Sequence, residues 1–266
     1  MSVRFLREGA LVRALLSFGA AFTAEWAFTV AIGLVAFADG GAVAVGLVGV
    51  LRLLPSALLA PVISAYADRG PPERLLFVSS AVRGLATIGA AVILLADGPV
   101  VVVYALAVVS TIAFTPFRAS HSALMPALCR TPDQLTTVNV LRGGLDSLNV
   151  VVGPLMAALL VAVYDVAAVF VFAGMCGLVS AALLVGLDYE RIRPAFVERR
   201  RLLAEVREGF AAVSADAGVV MVMGFVLLHV MIRGAFSVVV VVIAIDLLER
   251  DEASVGVLQA RSGWVR

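Results

Sequence analysis

The sequence predicts an all-α membrane protein with about seven transmembrane helices. Apolar residues make up 62% of its 266 positions and charged residues only 15%, whereas soluble domains are about half apolar and about a quarter charged. Mean hydropathy is +1.07. The apolar residues recur in segments, and a helix needs about 20 such residues to cross a hydrocarbon core of about 30 Å. The solvent that suits this chain is therefore the lipid bilayer.

Seven apolar segments are predicted to cross the bilayer as helices. They lie at residues 12–37, 43–66, 75–96, 100–117, 135–163, 166–187 and 218–246. Three of the connectors between them are short and contain turn-forming residues. These connectors are Asp39-Gly40-Gly41, Asp97-Gly98-Pro99 and Tyr164-Asp165. We therefore expect spans 1 and 2, 3 and 4, and 5 and 6 to form antiparallel hairpins.

Arginine is distributed unequally between the two sets of connectors. The three short connectors contain none, whereas the alternate connectors and the N-terminal segment contain many. These basic residues are Arg4, Arg7, Arg13, Arg69, Arg74, Arg118, Arg130, Arg191, Arg193, Arg199, Arg200, Arg201 and Arg207. Loops rich in basic residues stay on the cytoplasmic side of a membrane. The pattern predicts a multi-pass protein of the plasma (inner) membrane with a cytoplasmic N-terminus, and six spans before residue 190 satisfy that orientation.

The spans group into three regions. Residues 1–190 are predicted to form a six-helix bundle, and residues 191–217 a cytoplasmic linker with an amphipathic surface helix at 196–214. Residues 218–266 hold a seventh span. The formal net charge of +1 does not indicate a nucleic-acid partner. We find no nucleotide-binding glycine loop, zinc-ligand spacing or nucleophile elbow, so we expect no metal, no cofactor and no enzymatic activity.

Ionisable residues inside the predicted spans are the best candidates for function. A charge at the middle of a bilayer costs at least about 2.5–3.5 kcal/mol, so it is expected to face protein or water. The residues concerned are Glu25, Arg52, Arg83, Arg142, Asp146, His229 and Arg233. Glu25 has no partner on its own helix, which favours a functional role. His229 is expected to be a packed polar residue.

Span 5 has the clearest polar stripe. Its members are spaced by three or four residues and share one face of a helix. They are Asn139, Arg142, Asp146, Asn149, Gly153 and Ala157. One interpretation is an aqueous path in which Glu25 and Asp146 carry protons and the arginines balance charge or contact substrate. The other is a static ion pair between Arg142 and Asp146, which lie one helical turn apart.

The connector between spans 2 and 3 resembles a family signature. The residues from Ser64 through Asp68, Arg69 and Gly70 to Arg74 are similar to the signature loop of the major facilitator superfamily, although serine stands in place of its first glycine. In that family the loop latches the cytoplasmic gate through charge contacts. A solvated loop that merely follows the distribution of positive charge is the alternative.

Further strings resemble the branch of this superfamily that contains enterobactin-type exporters. They are Ala24-Glu25-Trp26-Ala27, Leu51-Arg52 with Pro55, Phe117-Arg118, Leu124-Met125-Pro126 and Thr131-Pro132. Gly153-Pro154 is also similar to the end of the family's antiporter motif. The resemblance implies a secondary active, proton-coupled exporter of small amphipathic molecules, drug-like or siderophore-like. Its partners would be the lipid bilayer, a small-molecule substrate and protons.

Family members have twelve spans in two six-helix halves, with the substrate between the halves. The resemblance places this sequence as the N-terminal half plus one helix. We therefore expect a truncated chain, or one completed by a second chain that supplies the missing C-terminal half. A non-transporting protein, either a seven-helix sensor or an assembly partner, is the alternative. A retinal-type sensor is disfavoured because its last span needs a lysine, and this sequence contains no lysine.

Overall fold

The computed structural model describes residues 9–67, 70–187, 211 and 214–242, which are helical apart from short turns. The first helical stretch, Gly9–Ala67, is interrupted at Gly40 and Gly41, whose backbone torsions are not helical. We treat it as two helices, α1 (9–39) and α2 (42–67). The remaining helices are α3 (Pro72–Leu95), α4 (Val100–Phe114), α5 (Phe117–Leu128), α6 (Pro132–Val163), α7 (Val166–Leu184) and α8 (Ala217–Val242).

The outer surface of the helices is apolar and suits lipid rather than water. Five helical segments of the described chain are long and apolar enough to cross a membrane, and the first of them, Gly9–Ser64, spans 56 residues. Large side chains such as Leu58 (70% exposed) and Leu85 (63% exposed) point outward. An outer surface of this kind would aggregate in water but suits a bilayer. The prediction of an all-α membrane protein is confirmed.

The break at Gly40 and Gly41 reverses the chain. Gly41 has a φ of +63°, a conformation that glycine adopts without steric cost. Arg52 follows Phe28 by 24 positions, a separation of about 36 Å along a straight helix. Its guanidinium carbon instead lies 4.6 Å from the centre of the Phe28 ring. α1 and α2 therefore form the antiparallel hairpin that the sequence predicts.

Contacts at the two ends of the bundle fix how the helices run. At one end, the Ser17 hydroxyl on α1 lies 2.8 Å from that of Ser180 on α7, which lies 3.2 Å from that of Ser80 on α3. At the other end, the Tyr104 hydroxyl donates to Asp39 over 2.9 Å. The arginine-free connectors thus gather at the Asp39 end. The first turns of α1 and α3 lie at the opposite end.

Local sequence explains where α6 and α7 begin. The Thr131 hydroxyl accepts a hydrogen bond from the Gln134 backbone, and the Gln134 side chain accepts one from the Arg130 backbone. This pair resembles a capping box, except that Gln134 reaches the backbone N–H one residue before the cap. Asp165 accepts from the Ala168 backbone over 2.8 Å and caps α7 in the same way.

The structure corrects the prediction for Arg118, which we placed in a connector after a span ending at residue 117. The chain instead continues as α5, so Arg118 lies in the first turn of a further helix. Pro116 has helical backbone torsions and stands before the first residue of α5. Proline is tolerated there because the first turn of a helix has no acceptor for its missing N–H. The chain therefore continues as a helix for about three turns after Pro116, and Arg118 is part of the bundle.

Glycines allow the closest helix crossings. A Cβ on Gly84 of α3 would lie 2.9 Å from the Gly174 carbonyl oxygen of α7. A Cβ on Gly153 of α6 would collide with the Cβ of Trp26 on α1. Small residues at such points let backbones approach and supply the van der Waals contact that holds membrane helices together.

Several predictions fall outside the described residues. Asp68 and Arg69 of the signature-like loop are among them, as are most of the amphipathic segment at 196–214 and the residues from 243 onward. Arg74 is described and lies exposed in the first turn of α3. The side chain of Arg233 on α8 is also outside the described part.

We predict that Gly84→Ala destabilises the bundle by about 1–3 kcal/mol, because the added methyl group meets a backbone carbonyl that cannot move alone. The expected result is a lower midpoint of thermal unfolding in detergent. Gly46→Ala is the matched control, since a Cβ there meets nothing within 4 Å. An equal loss in both variants would contradict the close crossing of α3 and α7.

Candidate functional site

Glu25 on α1 forms an ion pair with an arginine two helices further along the chain. Its Oε2 lies 2.7 Å from Nη2 of Arg83 on α3, whose side chain is only 2% exposed, while that of Glu25 is 27% exposed. Neither terminal nitrogen of Arg83 makes a hydrogen bond of good geometry. The attraction is therefore mainly Coulombic, and it is strong because the surroundings have a low dielectric constant.

Arg52 on α2 completes this group, which we call the Glu25 cluster (Glu25, Arg52 and Arg83). It is 7% exposed, and its Nε donates to the Thr111 hydroxyl on α4 over 3.1 Å. Glu25 interacts electrostatically with both arginines. Two guanidinium groups therefore share one carboxylate, and the cluster carries one positive charge in excess.

Each arginine of the bundle interior lies against a phenylalanine ring. Arg83 is 4.0 Å from the centre of the Phe114 ring and 6.0 Å from that of Phe28, which Arg52 also contacts. A guanidinium within about 6 Å of a ring centre is attracted to the ring face, by about 2 kcal/mol or more once water is excluded. The rings thus replace part of the hydration that the arginines lose.

The polar stripe of α6 divides into a closed part and an open part. Asn149 accepts a hydrogen bond from the Thr23 hydroxyl over 2.9 Å, and both Asn149 and Gly153 are buried against α1. Pro154 is buried as well. Asn139 lies exposed at the other end of the stripe. Only the Asn139 part of this face is open to a ligand.

A second ionic group occupies the open part of the stripe. Arg118 of α5 donates from Nη2 to Oδ1 of Asp146 on α6 over 3.0 Å, and from Nη1 to Oδ2 over 3.4 Å. One turn away, Nη2 of Arg142 donates to the Ser122 hydroxyl over 3.0 Å. We call these four residues the Arg118 cluster. Like the Glu25 cluster, it carries two guanidinium groups and one carboxylate.

The ion pair of Asp146 differs from the one considered from sequence. Arg142, one turn away on the same helix, was the nearest arginine in sequence, but the partner within ion-pair distance is Arg118 on α5. Arg118 was missed because residues 118–134 were interpreted as a connector. The signal that could have found it is the apolar spacing of Phe117, Leu124 and Leu128, which are all buried and fit one face of a helix.

His121 is a further residue that sequence reasoning missed. It is fully buried on α5, its Nε2 lies 2.9 Å from the Ala14 carbonyl oxygen, and its ring stacks on that of Phe117 at 6.1 Å between centres. This carbonyl can only accept, so Nε2 carries the proton and the imidazole ties α5 to α1. His229 on α8, by contrast, is exposed, so its expected packed position is not observed.

Taken together, the helices define a multi-pass membrane protein with ionic clusters inside its bundle. Among the described residues, no three His, Cys, Asp or Glu side chains come together as metal ligands. The chain matches the family model described as Major Facilitator Superfamily over residues 14–259. It therefore belongs to the major facilitator superfamily and is a membrane transporter by family. No curated protein matches it.

We predict that the stability of the Arg118 cluster depends on the pair between α5 and α6. In a double-mutant cycle of Arg118→Gln and Asp146→Asn, the coupling energy should be about 0.5–1 kcal/mol, as for partly exposed ion pairs. Thermal unfolding of the purified protein measures it. The matched cycle of Arg142→Gln and Asp146→Asn should give a smaller coupling. The reverse order would mean that Asp146 pairs along its own helix.

Proposed function

We propose that this chain acts in a proton-coupled exporter of small amphipathic molecules that works by alternating access. The observation that carries the proposal is the Glu25 cluster, in which two buried arginines share one half-buried carboxylate. Intramembrane carboxylates of this kind are common elements of proton relays in transporters. The similarity of Ala24-Glu25-Trp26-Ala27 and Leu51-Arg52 to enterobactin-type exporters supports the direction and the type of substrate.

The cluster offers a physical route to coupling. Protonation of Glu25 would remove the negative charge that holds Arg83, and two guanidinium groups would then remain in a low-dielectric interior. This state has a high free energy. Protonation would therefore favour a change of conformation, or the binding of an anionic group in place of the carboxylate. Proton binding and a change of state are thereby linked, as alternating access requires.

The other predicted site residues fit supporting roles. Gly153 and Pro154 lie where α1 and α6 cross closely, and a bend there would change the width of the path between these helices. Asn139 and Asn149 would provide polar contacts along the same face. Arg74, with Asp68 and Arg69, would latch the cytoplasmic gate.

We predict that Glu25→Gln abolishes transport driven by a pH gradient, because glutamine keeps the size of the side chain but cannot exchange a proton. Everted vesicles are tested with fluorescent amphiphiles of three charge classes, namely cationic, neutral and anionic. Wild type should accumulate at least one class when the gradient is imposed. Glu25→Gln should lose this accumulation and retain the exchange of substrate without a gradient.

Thr29→Ala is the matched control, since Thr29 lies one turn away on α1 and only donates to the Glu25 backbone carbonyl. It should transport as wild type does. Unchanged gradient-driven accumulation in Glu25→Gln would remove Glu25 from the coupling role. Failure of wild type to move any class would favour the non-transporting alternative.

We also propose an inner-membrane location with the N-terminus in the cytoplasm, from the distribution of arginine. In a background with Cys129→Ser and Cys176→Ser, the variants Gly70→Cys and Tyr164→Cys place single thiols at exposed positions between helices. An impermeant maleimide added to intact cells should label Tyr164→Cys, and added to everted vesicles it should label Gly70→Cys. The opposite pattern would reverse the orientation.

A further inference from the structure

We propose that the Arg118 cluster binds the anionic group of the substrate, and that the exported molecule is an amphipathic monocarboxylate. This inference rests on the proposed export function and adds the charge class of the substrate. It depends on three observations, namely a repeated geometry, an excess of positive charge and the exposure of Arg118.

Three helices build the Arg118 cluster and the aromatic rings that support it. Each helix supplies two residues one turn apart: Phe18 and Phe22 from α1, Arg118 and Ser122 from α5, and Arg142 and Asp146 from α6. The guanidinium carbon of Arg118 lies 4.5 Å from the centre of the Phe22 ring, and that of Arg142 lies 5.0 Å from the centre of the Phe18 ring. Both rings are buried, and they form the inner side of the cluster, against which the two guanidinium groups lie.

The Arg118 cluster has more hydrogen-bond donors than acceptors. Its two guanidinium groups provide ten N–H donors, and the acceptors within the cluster are the Asp146 carboxylate and the Ser122 hydroxyl. Nε of Arg142 is buried and makes no hydrogen bond. A buried donor without a partner costs about 1–3 kcal/mol, and a carboxylate oxygen is the acceptor that suits a guanidinium best.

The cluster is open to a ligand at Arg118. The Arg118 side chain is 56% exposed and that of its partner Asp146 is 27% exposed, and the Ser122 side chain is exposed as well. An anionic group can therefore reach the Arg118 guanidinium without a rearrangement of the helices.

The charge of both clusters favours an anion. The two clusters together hold four arginines and two carboxylates, so two positive charges are in excess. A cationic molecule at either cluster would be repelled by the excess positive charge. A neutral molecule would offer only uncharged acceptors in return, whose hydrogen bonds are weaker than those between a carboxylate and a guanidinium.

Asp146 then competes with the substrate. Its carboxylate occupies the face of Arg118 that a substrate carboxylate would use, and the two negative charges would repel each other. Removing the charge of Asp146 should therefore tighten the binding of an anion, whereas removing that of Arg142 should weaken it. Opposite effects from two residues one turn apart distinguish a binding site from a structural ion pair.

The test measures binding of 1-naphthoate and of its neutral analogue 1-naphthamide by equilibrium dialysis, with the full chain in phosphatidylcholine nanodiscs. We expect naphthoate to bind at least about tenfold more tightly than naphthamide, since charge-assisted hydrogen bonds are the stronger ones. Arg142→Gln should remove this preference and Arg142→Lys should retain part of it. Asp146→Asn should bind naphthoate more tightly than wild type does.

Arg130→Gln is the matched control, because it removes the same charge two residues beyond the end of α5 at Leu128, and Leu128 is itself about 15 Å along the helix from Arg118. Equal binding of the two probes, or an equal loss in Arg130→Gln and Arg142→Gln, would overturn the proposal. Disappearance of naphthoate binding when phosphatidylglycerol is included would assign the site to lipid headgroups and overturn it too. Naphthoate binding without transport of any amphiphile would leave the site standing and remove the export function.

Discussion

The packing of the bundle depends on stabilising the arginine side chains that are buried between its helices. Moving a guanidinium out of water is costly, and this chain offsets the cost in two ways. A carboxylate from another helix supplies opposite charge, as Glu25 does for Arg83, and a phenylalanine ring supplies a polarisable face, as Phe114 does for the same arginine. Because each arrangement requires two or three helices, the charges also specify how the helices are rotated and how deep they lie.

The same constraint gives the interior its chemical character. α1 is the common element, since its phenylalanines support arginines from α2, α3, α5 and α6. Carboxylates are fewer than arginines, so each cluster holds a guanidinium group without a carboxylate of its own. The described interior therefore carries more positive than negative charge.

Close packing and polarity are separated along the helices. Gly84 and Gly174 bring α3 and α7 together, and Gly153 does so for α6 and α1. Where these contacts are tight, polar side chains bond across the helices, as the Thr23 hydroxyl does to Oδ1 of Asn149. Where α6 leaves the tight crossing, its polar face opens and the Arg118 cluster becomes accessible. The rigid crossing thus positions the accessible group.

The sequence by itself determined the solvent and every described helix except α5. Apolar length predicts where the long helices lie, the glycines and aspartates of Asp39-Gly40-Gly41 and its counterparts predict the turns, and helical periodicity predicts the inward face of α6. These properties are local, so neighbouring residues suffice to predict them. Only the tertiary structure decided that Arg83 pairs with Glu25 and Arg118 with Asp146, because partners on different helices depend on rotation and depth. Those quantities come from packing, which no single segment encodes.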